Sequence, residues 1–118
     1  LAWKAELTEA GTEDLRRIYR HLLNAQHEDF GHDLAAADRL ARSRIEQIVD
    51  NIDRITFAPF RGTQIGPADF TFRYLTIDRA IYWFRLDEVT ETVLIEAIFL
   101  AGQDHLKRMF ARLTGKAR

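Results

Sequence analysis

Three arginines, Arg73, Arg79 and Arg85, fall in a stretch whose apolar residues alternate, and a histidine, His105, follows it. Guanidinium groups held on rigid strands can be aimed at a phosphate, where their planar fork pairs with two oxygens. An imidazole that titrates near neutrality can act as a general acid. The plainer reading of the same residues is two strand-surface charges, Arg79 and Arg85, and a histidine that caps or flanks a helix. A second group is cationic with little acid beside it: Lys107, Arg108, Arg112, Lys116 and Arg118 crowd the C-terminus with only Asp104 nearby. Such a segment suits phosphates or an acidic partner, and equally a solvated helix face.

Other chemistries find little to work with. The chain has no cysteine, which removes disulfides, thiolate catalysis and cysteine zinc sites together. His21, His27 and His32 are spaced by six and five residues, off any single helical face, so no metal site is expected. Ser43 is the sole serine and lies inside a helical pattern, which argues against a serine nucleophile. Gly62 and Gly66 are not followed by the Lys-Ser/Thr helix start of a phosphate loop. Asp87, Glu88 and Glu91 read as turn residues. In the run Tyr82-Trp83-Phe84, alternation puts Trp83 on the opposite face from its neighbours, so one side is core and the other lies under a helix or a partner.

The elements that would position these residues follow from periodicity. Trp3, Ala5 and Leu7 alternate with Lys4 and Glu6, as in a short strand with one buried face. Thr8 reads as an N-cap for a helix to about Gln26, with Leu15, Ile18, Tyr19 and Leu22 on one face. Gly11 weakens its first turn. A connection over 27–32 precedes a second helix from about Asp33 to Ile55, whose stripe is Leu34, Ala37, Ala41, Ile45, Ile48, Ile52 and Ile55. The two should form an antiparallel hairpin that covers a sheet. Pro59, Gly62, Gly66 and Pro67 mark a loop. Beyond it come three extended segments, Phe70 to Ile77, Ala80 to Leu86 and Thr92 to Leu100, the last apolar on much of both faces. Asp104 can cap a final helix anchored by Leu106, Met109, Phe110 and Leu113, leaving Lys107, Arg108 and Arg112 outward, with Gly115 at its end. The expected architecture is α+β, in the order β-α-α-β-β-β-α, with the first strand on an edge of the antiparallel meander and the helices on one face.

At 118 residues the chain fits one domain spanning 1–118. Hydrophobic residues at 47% and charged residues at 30% indicate a soluble globular composition. Apolar runs such as Ala97 to Ala101 are too short to span a bilayer. No basic segment followed by an apolar stretch opens the sequence, so a secretory leader is not expected and the cytoplasm is the expected setting. The net charge of −1 conceals an asymmetry. Residues 1–60 carry 8 Lys and Arg against 11 Asp and Glu, whereas residues 61–118 carry 9 against 7, which places the basic excess at the C-terminal end.

Four stretches carry a family resemblance. WKAELTEAGTEDL, from Trp3 to Leu15, looks like the strand and "LT-x-x-A-x-x-DL" helix start of the RelE/ParE toxins, in particular their ParE-like branch. FAPFRGT, from Phe57 to Thr63, resembles their "x-x-P-x-x-G" loop; RYLTIDRAIYWFR, from Arg73 to Arg85, their second and third strands; and VLIEAIFLAGQDH, from Val93 to His105, their last strand and exit. The element order matches as well. The resemblance implies the toxin of a type II toxin–antitoxin pair, neutralised by a ParD-like antitoxin in a hetero-oligomeric complex, with no cofactor. ParE-like relatives inhibit DNA gyrase; RelE-like relatives cleave mRNA on the ribosome without a metal, the 2′-hydroxyl attacking the adjacent phosphate; a third reading is a non-toxic interaction module that serves only in a complex. For a ribonuclease the residues would be Arg73, Arg79, Arg85 and His105, since Arg79 sits where many relatives carry arginine ahead of a strand's apolar pair. Two departures favour binding over cleavage. The stretch after the last strand reads Phe99-Leu100-Ala101-Gly102, without the usual His or Arg, and no lysine lies between Lys4 and Lys107. Lys107, Arg108 and Arg112 are then the candidates for contact with the target, and Phe72, Tyr74, Tyr82 and Phe84 those for contact with the antitoxin.

Overall fold

The computed structural model describes residues 2–66 and 71–115. The expectations for Pro67, for a strand starting at Phe70, and for Lys116 and Arg118 lie outside the described residues.

Strand β1 (Lys4–Leu7) leads into helix α1 (Glu9–Asn24). Thr8 caps that helix as its sequence position implies: its hydroxyl accepts from the Gly11 amide at 3.2 Å and donates to the Ile95 carbonyl at 3.1 Å. The helix continues into a π-helical turn, Ala25–Asp29. Helix α2 (Leu34–Asp50) is capped by Asp33, which accepts from the Ala36 amide at 2.8 Å. The single helix expected from Asp33 to Ile55 is broken at Asn51, and a short α3 (Ile52–Phe57) follows. There the Asn51 side-chain amide donates to Asp78 Oδ2 at 2.9 Å, while its backbone N–H keeps a helical bond to the Gln47 carbonyl. Strands β3 (Phe72–Ile77), β4 (Ala80–Asp87) and β5 (Thr92–Leu100) form the expected meander. A further short strand, β2 (Thr63–Ile65), lies within the expected loop and pairs with β3.

The five strands lie in the order β1-β5-β4-β3-β2. All neighbours are antiparallel except β1, which joins the edge beside β5 in parallel. Helices α1 to α3 cover one face. There Ile18, Ile48, Ile52 and Ile55 pack on Ile77, Tyr82, Phe84, Val93 and Ile95. Tyr82 is fully buried and its hydroxyl donates to the Ile48 carbonyl at 2.6 Å. Burial pushes its phenol up to about 12, so it remains a neutral donor. The last helix, α4 (His105–Leu113), does not join the others, contrary to the expectation of one helical layer. It lies on the opposite face, where Met109 packs with Phe72, Ile81, Trp83, Ala97 and Phe99. The apolarity of β5 on both faces requires cover on both, and α4 supplies the second cover.

Gly11 has a role beyond weakening a helix. A Cβ built there would stand 2.4 Å from the Ile95 carbonyl oxygen, because α1 crosses β5 at backbone contact. Gly11→Ala should therefore lower the denaturant midpoint, with a cost of about 1–3 kcal/mol from overpacking outweighing the gain in helix propensity. A raised midpoint would show that the crossing has slack.

Candidate functional site

The four residues that could serve phosphate chemistry do not converge. Arg73 lies between Phe72 and Tyr74, which face α4, so it turns to the other side of β3. There it donates to the Phe60 carbonyl at 2.9 Å, with its guanidinium 5.7 Å from the Phe60 ring centre. Trp3 meets the same ring edge-on at 5.6 Å. Arg79 occupies the β3–β4 turn, where Asp78 and Arg79 both have positive φ, +48° and +67°, as a tight two-residue hairpin demands. Six steps along the strand, roughly 20 Å, separate it from Arg85.

Arg85 and His105 do share the α4 face, but both are engaged. A β-bulge between Trp83 and Phe84 leaves Glu96 unpaired in the ladder, and Glu96 Oε2 lies 2.5 Å from Arg85 Nη2. The Arg85 guanidinium also lies 5.8 Å from the Phe72 ring centre. His105 Nδ1 accepts from Trp83 Nε1 at 3.1 Å, which fixes the Nε2–H tautomer for the neutral ring. Tyr74 stacks on Trp83 with ring centres 4.9 Å apart and meets His105 edge-on at 4.8 Å. Of the proposed partner-contact residues, Tyr82 and Phe84 are completely enclosed under α1 to α3 and Phe72 is 5% exposed, so only Tyr74 presents part of its ring.

The C-terminal helix is turned about its axis relative to expectation. Met109 alone of the stripe Leu106, Met109, Phe110 and Leu113 is buried; the other three are 36–45% exposed. The residues facing the sheet are His105, Met109 and Arg112, at i, i+4 and i+7, about one residue around the helix. Arg112 is accordingly not an outward cation. Its Nη1 and Nη2 each donate at 3.0 Å to the two oxygens of Asp14, whose side chain is 4% exposed. Lys107 and Arg108 do point outward. Asp14 also accepts from the Ile98 amide and from Arg17, both at 3.0 Å. This node ties α1, β5 and α4 together, and sequence reasoning missed it. The available signal was an acid at the middle of the Gly11, Asp14, Ile18 spacing on the buried side of α1.

Two clefts flank these elements. One, of about 510 Å³, runs between α1 and α2 over Leu15, Tyr19 and Ile45, rimmed by Arg16, Arg20 and Arg42. At its side the Tyr19 hydroxyl donates to Asp38, and this bond, followed by that from Arg42, holds the Asp38 carboxyl below the usual range. The other, of about 470 Å³, opens between α1 and α4. Among the described residues no group of three or more His, Asp or Glu is placed to hold a metal ion, and no helix is long and apolar enough to cross a membrane.

The architecture has clear counterparts among solved structures. A chain of the RelBE2 toxin–antitoxin complex from Mycobacterium tuberculosis superposes with a TM-score of 0.57 at 12% identity, over 85% of this chain and 99% of that one. A chain of the chromosomal ParDE toxin–antitoxin system of P. aeruginosa superposes with a TM-score of 0.60 at 17% identity, over 84% and 96%. This is the RelE/ParE toxin fold. No protein-family model and no curated protein sequence matches the chain, so the likeness lies in the backbone. The RelE/ParE fold here keeps the helical hairpin on one sheet face and a basic terminal helix on the other.

Proposed function

We propose that the chain is the toxin of a type II toxin–antitoxin pair, acts in the cytoplasm by binding rather than by catalysis, and is neutralised by a ParD-like antitoxin encoded beside it. The reading is supported by a fold shared with chains of two toxin–antitoxin complexes. The observation that carries binding over cleavage is the dispersal of Arg73, Arg79, Arg85 and His105: one on the hairpin side, one at a turn, one paired with Glu96 and one bonded to Trp83. Acid–base cleavage needs its groups within hydrogen-bond reach of one phosphate. Exposed apolar side chains on α4, Leu106, Phe110 and Leu113, suit a protein partner instead. Lys107 and Arg108 are the proposed contacts with the target, for which DNA gyrase is the leading candidate through the ParE-like sequence features.

The second reading, a RelE-type ribosome-dependent ribonuclease, draws on Arg85 and His105 sharing the α4 face. The lesion separates the two. On induction, a gyrase inhibitor should raise an SOS reporter before amino-acid incorporation falls. Immediate arrest of incorporation with a silent reporter would favour the ribonuclease and refute the binding reading.

A further inference from the structure

Strand β1 accompanies β5 only from Thr92 to Ile95. At Thr8 the chain turns into α1, so residues 96–100 have β4 on one side and, among the described residues, no strand on the other. The Ile98 amide points to that open side and donates to Asp14 Oδ2, a carboxylate oxygen placed where the carbonyl of a next strand would stand. Alternation turns the Ile98 carbonyl and the Leu100 amide toward the same edge. This edge borders the 470 Å³ cleft between α1 and α4.

The cleft is cationic. Arg17 and His21 line it from α1, Arg108 and Arg112 from α4. Its one carboxylate among the described residues, Asp14, is already engaged by the Ile98 amide, Arg17 and the Arg112 fork. Arg17 nevertheless keeps 58% of its side chain exposed, and Arg108 has no ion-pair partner among the described residues. An open edge rimmed by cations disfavours pairing with a second copy of itself and selects an acidic partner.

We infer that this cleft receives an extended acidic segment of the protein partner, which pairs with the half-buried Leu100 end of this edge and sets carboxylates against Arg17 and Arg108. A nucleic-acid strand fits less well, because the phenyl ring in the lining, Phe99, is 4% exposed and has the Arg112 guanidinium over it, which leaves Ile18, Ile98 and Leu100 as the apolar lining rather than a ring platform for bases. A segment seated there covers Arg108, one of the proposed target contacts, so occupancy of the cleft would itself mask the toxin.

The inference rests on the toxin–antitoxin reading, and one calorimetric series separates the two. The product of the neighbouring gene is titrated into the parent chain, Arg17→Glu/Arg108→Glu, Arg108→Glu alone, and Arg39→Glu on the exposed side of α2 as a control. Amide exchange is followed at Leu100 in the parent complex. Affinity should fall at least about tenfold in the double variant and by less in Arg108→Glu, with Arg39→Glu unchanged and Leu100 protected on binding. The single variant leaves the Arg17–Asp14 bond intact, so a loss there cannot be ascribed to a disturbed node. Unaltered affinity in both cleft variants, or no added protection at Leu100, overturns the inference while leaving the partner in place. A parent chain that does not bind the neighbour's product overturns the toxin–antitoxin reading and this inference with it.

Discussion

Asp14→Ala should destabilise the fold by about 3–5 kcal/mol, the range found when one partner of a buried ion pair is removed. The carboxylate is 4% exposed and accepts from Ile98, Arg17 and both arms of Arg112. Removing it leaves the Ile98 amide without its acceptor at a strand edge and the Arg112 guanidinium without a counter-charge. Arg112 also lies 5.4 Å from the Phe99 ring centre, so its release loosens α4 on that face. Asn should recover part of the loss, since an amide oxygen can still accept from Ile98. Chemical denaturation of the parent, Asp14→Ala and Asp14→Asn tests this. A midpoint for Asp14→Ala within error of the parent's would mean that the node contributes nothing net to stability.

Ile48→Ala should cost about 2–5 kcal/mol, as truncations of enclosed isoleucines do. Ile48 is 0% exposed and lies at the meeting of α2 with Ile18, Tyr82 and Ile95. Its carbonyl accepts the Tyr82 hydroxyl, so the turn of helix carrying the side chain is pinned to the sheet and cannot easily collapse into the space left. Equilibrium unfolding measures the loss directly. A midpoint unchanged by the substitution would contradict the placement of α2 on β4.

The helical hairpin and the meander were legible because their signals are local. The stripes through Ile18, and through Ala41, Ile48 and Ile52, repeat at three and four residues, and these positions are buried as read. Thr8 and Asp104 cap their helices because a hydroxyl or carboxylate at such a position meets the free amides of the first turn whatever the tertiary fold. What failed depends on contacts distant in sequence. Asn51, where the long helix breaks, bonds Asp78, 27 residues away. The rotation of α4 is set by Asp14, 98 residues from Arg112: an ion pair and the Trp83–His105 bond outweigh the exposure of Leu106, Phe110 and Leu113. Similarly, Arg79 and Arg85 both belong to a strand-rich segment, but only the register and the bulge at Glu96 place one at a turn and the other in an ion pair. Aromatic content alone could not separate Tyr82 and Phe84, which fill the core, from Tyr74, which reaches the surface.

A toxin held in check by the protein encoded beside it reveals itself in colony counts after induction of this chain alone and together with the neighbouring gene's product, at matched soluble levels. Counts should collapse with the chain alone and be restored by the neighbour. Full growth with the chain alone, or a collapse that the neighbour does not relieve, would contradict it.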